Sequence, residues 1–212
     1  MSRRWINTLV LHDAQGNVIK REGYWYDGPL SLVAAADFDL SDYAFYDDDA
    51  NEATSTQIGS TNAQTTLDVD VDLQARVNIT ESIGGTGQLG KIKWRYNLNG
   101  AGVVNVGTSS SVVQAVDSAN HTDEEDASDR IGSGGTYITT NLGVTENGDT
   151  PNLAYAASER SNFVLLFKII GADVSDGDEI ILSIQGVDTT TNIPDIDVNK
   201  PSGAPRRIFV VS

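Results

Sequence analysis

The fold is decided by residues 67–80, which read LDVDVDLQARVNIT. Seven apolar residues alternate with seven polar residues along this stretch. An alternation with a period of two predicts a β-strand that has one buried and one exposed face. At about 3.3 Å per residue the strand would be roughly 45 Å long, well beyond the usual five or six residues. We therefore expect a large antiparallel sheet that is buried on one face.

Two hairpins are predicted on either side of this stretch. Residues 6–11 and 18–21 are β-like and flank a turn that contains Gly16. Residues 91–106 alternate between apolar and polar side chains around Asn99-Gly100, which is a strong signal for a tight turn. The chain therefore carries one hairpin near its start and a second one after the long strand.

The strongest apolar segment follows later in the chain. Residues 161–170 are apolar at both parities, which is typical of a central strand. Residues 179–187 come after a turn through Gly177 and are expected to form a hairpin with this central strand.

These patterns together predict an all-β protein. About ten strands, no helical pattern and turn signals every 8–15 residues are typical of an antiparallel two-sheet β-sandwich or jelly roll, here with an extended N-terminal leader. The expected core consists of large apolar residues at the buried parity of each strand: Leu67, Val69, Val71, Leu73, Val77, Ile79, Trp94, Tyr96, Phe163, Leu165, Phe167, Ile180, Leu182 and Ile184.

The composition predicts a domain boundary near residue 64. Residues 1–64 hold the first hairpin and then an arm rich in acidic and small polar residues, whereas residues 65–212 hold the sandwich domain. The leader has too little patterned apolar surface to fold alone. We therefore expect it to pack on a neighbouring subunit or shell, and we expect the protein to work at least as a homo-oligomer.

Charge and composition exclude several classes of function. A net charge of −16 argues against direct binding of nucleic acid through a broad basic face. The absence of cysteine excludes disulfides, thiolate metal sites and a cysteine nucleophile. No apolar run has the length of a membrane span, and the first residues lack the pattern of a signal peptide. We therefore expect a protein that is made in the cytoplasm and has no membrane partner.

The basic residues near the two ends of the sequence are candidate assembly contacts. Arg3, Arg4 and Trp5 lie at one end and Arg206 and Arg207 at the other, whereas residues 23–72 contain eleven acidic residues and no basic one. Such separation of charge suits docking on acidic neighbours, although solubility alone would also explain it.

The sequence gives little support for catalysis. Its only histidines, His12 and His121, lie at a strand end and in a polar loop, and we expect both to be surface residues. Asp68, Asp70 and Asp72 would share one strand face with neighbours about 7 Å apart. Nothing marks one of them as a buried acid with a raised pKa, as a glycosidase requires. We therefore expect a protein that is not an enzyme.

Calcium is the best candidate among the metals because hard cations bind clustered carboxylates. The candidate ligands are Asp123, Asp126 and Asp129, and a second acidic cluster spans residues 47–52. Neither cluster has the spacing of an EF-hand loop. We expect a mobile, solvated acidic loop without a cofactor, and we keep bound Ca²⁺ as the alternative.

Aromatic residues suggest a second binding chemistry. Tyr24, Trp25 and Tyr26 precede a turn and are candidates for stacking on a glycan. Trp94 alternates with Ile92 and Tyr96 and is expected in the core instead. A lectin-like glycan-binding module therefore remains the alternative to a purely structural protein.

Two segments carry a resemblance to a known group of proteins. Residues 93–100, KWRYNLNG, resemble a hairpin of structural β-sandwich proteins from tailed-phage virions, and residues 169–184 resemble a second hairpin of the same proteins. The chain departs from that pattern at Ala101, which precedes Gly102. The resemblance covers about residues 91–198. It implies a virion component of the decoration, fibre or minor capsid type, with other virion proteins as partners and with no catalytic residues.

Overall fold

The computed structural model describes the backbone of residues 4–12 and 18–26, and residues 36–187 and 192–201 in full. The chain divides into two compact units, Met1–Val33 and Ala34–Ser212. Apart from one 3₁₀ turn at Gly171–Asp173, all regular structure in the described residues is β-strand. The prediction of an all-β protein is therefore confirmed.

Sixteen strands are present in the described residues. In chain order they are β1 (Arg4–His12), β2 (Val18–Tyr26), β3 (Phe38–Asp47), β4 (Gln57–Ile58), β5 (Thr65–Asp68), β6 (Asp72–Glu81), β7 (Gly87–Leu89), β8 (Trp94–Leu98), β9 (Val103–Asn105), β10 (Val113–Ala115), β11 (Thr136–Tyr137), β12 (Val144–Thr145), β13 (Leu153–Tyr155), β14 (Glu159–Ile169), β15 (Glu179–Ile184) and β16 (Asp195–Asn199).

The second unit is a sandwich of two sheets. The large sheet has the order β10-β14-β6-β3-β4, and the short strands β11 and β12 also pair with β14. The small sheet has the order β5-β16-β15-β8-β9, and β7 and β13 form a separate pair. Most neighbours are antiparallel, as expected, but β5 pairs with β16 in parallel, and β11 and β12 both run parallel to β14.

The core lies between the two sheets, where the alternation placed it. In the large sheet, Val77 of β6 pairs with Phe163 of β14, and both are fully buried. From the small sheet, Trp94 and Leu182 pack into the same apolar cluster. Of the predicted core residues, all but two are buried there; Val69 is only partly buried and Val71 is 42% exposed.

The predicted long strand is broken into two strands, and this corrects the sequence interpretation. β5 belongs to the small sheet and β6 to the large sheet, so the chain crosses between the sheets at residues 69–71. Asp70 takes a φ of 58° at the crossing. Its backbone N–H donates to the Ile169 carbonyl at 2.8 Å, and its carboxylate accepts the Gly171 N–H at 3.0 Å. Because the chain turns here, the side chain of Val71 no longer lies on the buried face and is 42% exposed.

The predicted acidic arm is also corrected. Residues 38–47 form β3, which lies between β6 and β4 inside the large sheet. A register shift between Leu40 and Asp42 moves the core-facing positions from Leu40 to Tyr43 and Phe45. This bulge interrupts the alternation of apolar and polar residues. The acidic residues on either side make the remaining alternation resemble a polar loop. The boundary between the units therefore falls at residue 33–34 rather than at residue 64.

One of the predicted hairpins does not form. β15 pairs with β8 and β16 in the small sheet, whereas β14 pairs with β6 and β10 in the large sheet. The connection between β14 and β15 therefore joins the two layers. The hairpin predicted for residues 91–106 is present as β8 and β9, and its turn residues Asn99 and Gly100 have φ values of 48° and 73°.

The first unit is the hairpin of β1 and β2, as predicted. The two strands pair antiparallel from Arg4↔Tyr26 to His12↔Val18, and Trp5 lies opposite Trp25 in this register. Each strand has nine residues, so the hairpin is longer than the sequence pattern indicated. Residues 202–212 lie outside the described residues.

Candidate functional site

The outer face of the large sheet was expected to be wet, but in the structure it is covered. Gln74, Arg76 and Asn78 on the polar parity of β6 are each 0% exposed. Two segments, residues 48–56 and 116–135, pack over this face, and we call them the covering loops. Their apolar contribution includes Ile131, which packs with Ala44 and Tyr46 on the outer side of β3.

Arg76 is the centre of this covered face. Its guanidinium donates to the Glu52 carboxylate at 2.6 Å, to the Glu52 carbonyl at 2.7 Å and to the Ser128 carbonyl at 2.8 Å. Arg130 donates to the Glu52 carbonyl at 3.0 Å and lies 4.2 Å above the ring of Tyr46. A buried charge is tolerated only with such close partners, so this cluster fastens both covering loops to the sheet.

A second polar cluster lies beside it on β14. Asn162 donates to the Asn78 side chain at 3.0 Å. Arg160 makes a two-pronged ion pair with Asp129 at 2.6 and 2.7 Å. Tyr137 donates to the Ala127 carbonyl, and burial raises the pKa of its hydroxyl to about 12. The tyrosine therefore stays protonated and acts as a hydrogen-bond donor at neutral pH.

His121 is buried rather than on the surface, which corrects the expectation from the sequence. Its side chain is 0% exposed. Nε2 lies 3.2 Å from the Asp48 carboxylate and 2.9 Å from the Gln74 amide nitrogen, and Nδ1 lies 3.1 Å from Glu125. The ring therefore links the two covering loops to β6, a role that its polar sequence neighbours did not indicate.

The acidic segment 123–129 was expected to be mobile and solvated, but four of its five carboxylates are bonded to protein groups. Asp123 accepts the Glu146 N–H at 2.9 Å, and Asp126 accepts the Asn141 N–H at 2.8 Å. Asp129 is engaged by Arg160. These hydrogen bonds and this ion pair stabilise the clustered carboxylates, which a bound cation would otherwise do in a rigid acidic loop. Within residues 36–187 and 192–201, no three His, Asp or Glu side chains are grouped to hold a metal ion.

The three aspartates that the pattern placed on one strand face have separate roles. Asp68 accepts a hydrogen bond from Asn199, Asp70 caps the turn at Gly171, and Asp72 forms an ion pair with Lys168 at 3.0 Å. The crossing at residues 69–71 places Asp68 and Asp72 in different sheets. The arrangement needed for a carboxylate pair on one strand is therefore lost.

The candidate glycan-stacking residues fall on β2 of the hairpin. In its register Trp25 lies opposite Trp5, Tyr24 opposite Ile6, and Tyr26 opposite Arg4. Trp94, by contrast, is 0% exposed in the core, as expected. Among the candidate assembly contacts, Arg4 and Trp5 begin β1, whereas Arg3, Arg206 and Arg207 lie outside the described residues.

Charge is divided unevenly between the two units. Residues 1–33 contain 4 of the 14 basic residues and 3 of the 30 acidic residues. Residues 34–212 therefore contain 10 basic and 27 acidic residues. The hairpin unit thus has a net charge of +1 and the sandwich unit one of −17. The hairpin unit is thus close to neutral, and the net negative charge of the chain lies in the sandwich unit.

No family model and no curated protein matches this chain. Within the described residues, no helix is long and apolar enough to cross a membrane.

Proposed function

We propose that this protein is a non-enzymatic structural component of a phage particle, of the decoration, minor capsid or fibre type, and that it acts through protein–protein contacts. The observation that carries the proposal is the division into a sandwich with its own core and a two-stranded hairpin that forms a separate unit. A two-stranded hairpin is marginally stable in water by itself. It therefore gains stability from a surface of a partner.

The use of the polar side chains supports a structural role. Two ion pairs hold the covering loops on the sheet: Glu52 with Arg76, and Asp129 with Arg160. Asp123 and Asp126 accept backbone N–H groups. Side chains used in this way stabilise a rigid block, which is what a repeated part of an assembly needs.

The phage particle is proposed from the resemblance of the hairpin at residues 93–100. These residues form β8 and the turn into β9, which is the local structure that the resemblance implies. The contact with other copies is proposed from the separate hairpin unit, which carries none of the chain's excess negative charge.

The proposal is tested by where the protein is found. We expect its gene to lie among genes for virion assembly, and we expect the protein in purified particles of the same source by mass spectrometry in a fixed ratio to the shell protein. A gene that lies among metabolic genes, together with absence of the protein from the particles, would contradict the proposal.

A glycan-binding module is the second candidate function. It is favoured by the aromatic density of the hairpin, in which Trp5 lies opposite Trp25 and Tyr24 is the next residue along β2. A glycan array separates the two functions. Saturable binding of one glycan class that is lost in Trp25→Ala, but kept in the control Val103→Ala at an exposed position of the sandwich unit, would favour the lectin. Absence of glycan binding by the wild-type chain would contradict this second candidate function.

A further inference from the structure

A pocket opens in the sandwich unit between residues 126–129 and residues 137–139. Its volume is about 340 Å³, and pockets that bind small ligands usually have roughly 300–1,000 Å³. Because the pocket lies at the small end of this range, it suits a ligand with a single ring. Six residues line it: Asp126, Ala127, Ser128, Asp129, Tyr137 and Thr139.

Hydrogen bonds join the two walls of this pocket and fix their shape. The hydroxyl of Tyr137 donates to the Ala127 carbonyl. Asn141 is 2% exposed, and its side chain accepts the Ala127 N–H at 2.8 Å and donates to the Ala127 carbonyl at 3.0 Å. A preformed pocket loses less conformational entropy when a ligand binds than a flexible one does. The pocket is therefore organised for binding before any ligand enters it.

Asp126 fixes one wall of the pocket with only one of its two carboxylate oxygens. Oδ1 accepts the N–H groups of Asn141 and Leu142 at 2.8 and 2.9 Å. These bonds hold Leu142 at a φ of 48°, a backbone conformation that residues other than glycine rarely adopt. Among the described residues, no hydrogen-bond donor contacts Oδ2 of Asp126, and the side chain is exposed. This second oxygen can therefore accept a hydrogen bond from a ligand.

The lining of the pocket offers hydrogen-bond acceptors and one aromatic ring. An ionised carboxylate can only accept hydrogen bonds, which applies to Asp126 and Asp129. Arg160 binds both oxygens of Asp129 at 2.6 and 2.7 Å, so its charge is already compensated. The net charge of −17 on the sandwich unit also repels an anionic ligand. The pocket therefore fits an uncharged ligand that has hydroxyl donors and an apolar face for the ring of Tyr137.

We propose that this pocket binds one neutral hexose unit of a glycan. The C–H face of the sugar ring packs on Tyr137, and hydroxyls of the sugar donate to Oδ2 of Asp126 and to the hydroxyl of Thr139. Hydrogen bonds to an ionised carboxylate are stronger than those between neutral groups. The inference goes beyond the proposed structural role and does not depend on it. It also assigns glycan binding to the sandwich unit rather than to the hairpin.

Titration of the isotope-labelled full chain, followed by NMR, tests the inference. The probes are the methyl glycosides of glucose, galactose and mannose. With at least one of them we expect saturable shifts of the backbone amides of residues 126–129 and 137–142. The dissociation constant should be on the order of 1 mM, because a single ring buries little surface. N-acetylneuraminic acid carries a carboxylate and should leave these amides unshifted.

Asp126→Asn is the most informative variant. Asparagine keeps an oxygen for the N–H groups of residues 141 and 142 but replaces Oδ2 with an NH₂ donor. We expect it to lower the affinity for the hexose about tenfold. The matched control is Asp117→Asn, the same change at an exposed position outside the pocket, which should bind as the wild type does. Thr139→Val leaves the bonds between the walls intact and should weaken binding about threefold.

Three results would overturn the inference. Absence of shifts in residues 126–142 with all three hexosides would refute the pocket, while the proposed function, which is tested by the composition of particles, would stand. Hexose binding that is lost in Trp25→Ala but unchanged in Asp126→Asn would place the glycan on the hairpin. Shifts of the same amides with tetramethylammonium chloride, and none with the hexosides, would show that the pocket binds an organic cation instead.

Discussion

Arg76 is fully buried, and its partners come from two loops that are distant in sequence. Its ion pair with Glu52 has an N–O distance of 2.6 Å, and the Glu52 carboxylate also accepts the Ser128 N–H at 2.9 Å. Loss of one member of a buried pair leaves the other charge without compensation, which costs far more than the pair contributes. The covered face therefore depends on both members being present.

We predict that Glu52→Ala lowers the free energy of unfolding by about 3–5 kcal/mol, because it leaves Arg76 buried without its counter-charge. The control is Asp149→Ala, which removes the half-exposed partner of the exposed Lys91 and should cost less than about 1 kcal/mol. Urea unfolding of both variants measures the difference. Equal small losses for the two variants would show that the covering loops do not depend on this pair.

Glu81 is a second residue on which local structure depends. It is 2% exposed, and its carboxylate accepts the N–H groups of Ile83, Gly84, Gly85 and Ser158 at 2.9–3.1 Å. The bond from Ser158 is the largest cause of the lowered pKa of this carboxyl group, and the bonds from residues 83–85 lower it further. The ionised form therefore holds the turn after β6 against the start of β14.

We predict that Glu81 makes the fold sensitive to acid. Because its folded pKa lies below the unfolded value of about 4.3, its contribution to stability is complete above that pH and is lost as the pH falls through the folded pKa. Glu81→Gln should be less stable than the wild type at pH 7, and the gap should close below about pH 4. Urea unfolding between pH 3 and 7 measures this, with the exposed Glu179→Gln as control. A gap that stays constant with pH would contradict the assignment.

At the scale of the elements, the alternation of side chains predicted the strands whose core face is regular. β6, β8, β14 and β15 all bury the expected parity. The crossing at Asp70 was not predictable, because it depends on Gly171, about a hundred residues later in the chain. The bulge in β3 could not be predicted either. One extra residue moves the core-facing positions from even to odd residue numbers, so the sequence no longer alternates as a regular strand does.

The candidate site was less predictable than the fold. The polar parity of β6 shows the same alternation whether water or other loops cover it, so the sequence indicated exposure for Arg76 and a surface position for His121. Their partners Glu52 and Glu125 lie 24 residues before Arg76 and four residues after His121. The one available signal was the absence of lysine and glutamate between residues 73 and 80, since those residue types are mostly found at exposed positions.

The crossing between β5 and β6 can be tested with two substitutions of neighbouring apolar residues. Leu73→Ala should lower the free energy of unfolding by about 2–5 kcal/mol, because Leu73 is 2% exposed in the core. Val71→Ala should change it by less than about 1 kcal/mol, because Val71 is 42% exposed beyond the end of β5. Thermal or urea unfolding compares the two. Similar large losses would indicate one continuous strand with both residues buried.

At the scale of the whole molecule, the sandwich unit has its core closed and its polar face covered, whereas the hairpin is a unit of its own. The sandwich has a net charge of −17 and the hairpin unit one of +1. The proposed contact between copies places the nearly neutral, aromatic hairpin of one molecule on the acidic sandwich of another. Association should therefore depend on both the basic and the aromatic residues that begin β1.

The most direct test of this account is the mass of the full chain in solution. By light scattering at increasing concentration, we predict a species of at least twice the 22.7 kDa of one chain. Arg4→Glu/Trp5→Ser should shift it toward the monomer without lowering the melting temperature of the sandwich, whereas the control Lys91→Glu should leave it unchanged. A wild-type chain that stays monomeric at every concentration would contradict the claim that this protein works through contacts between copies.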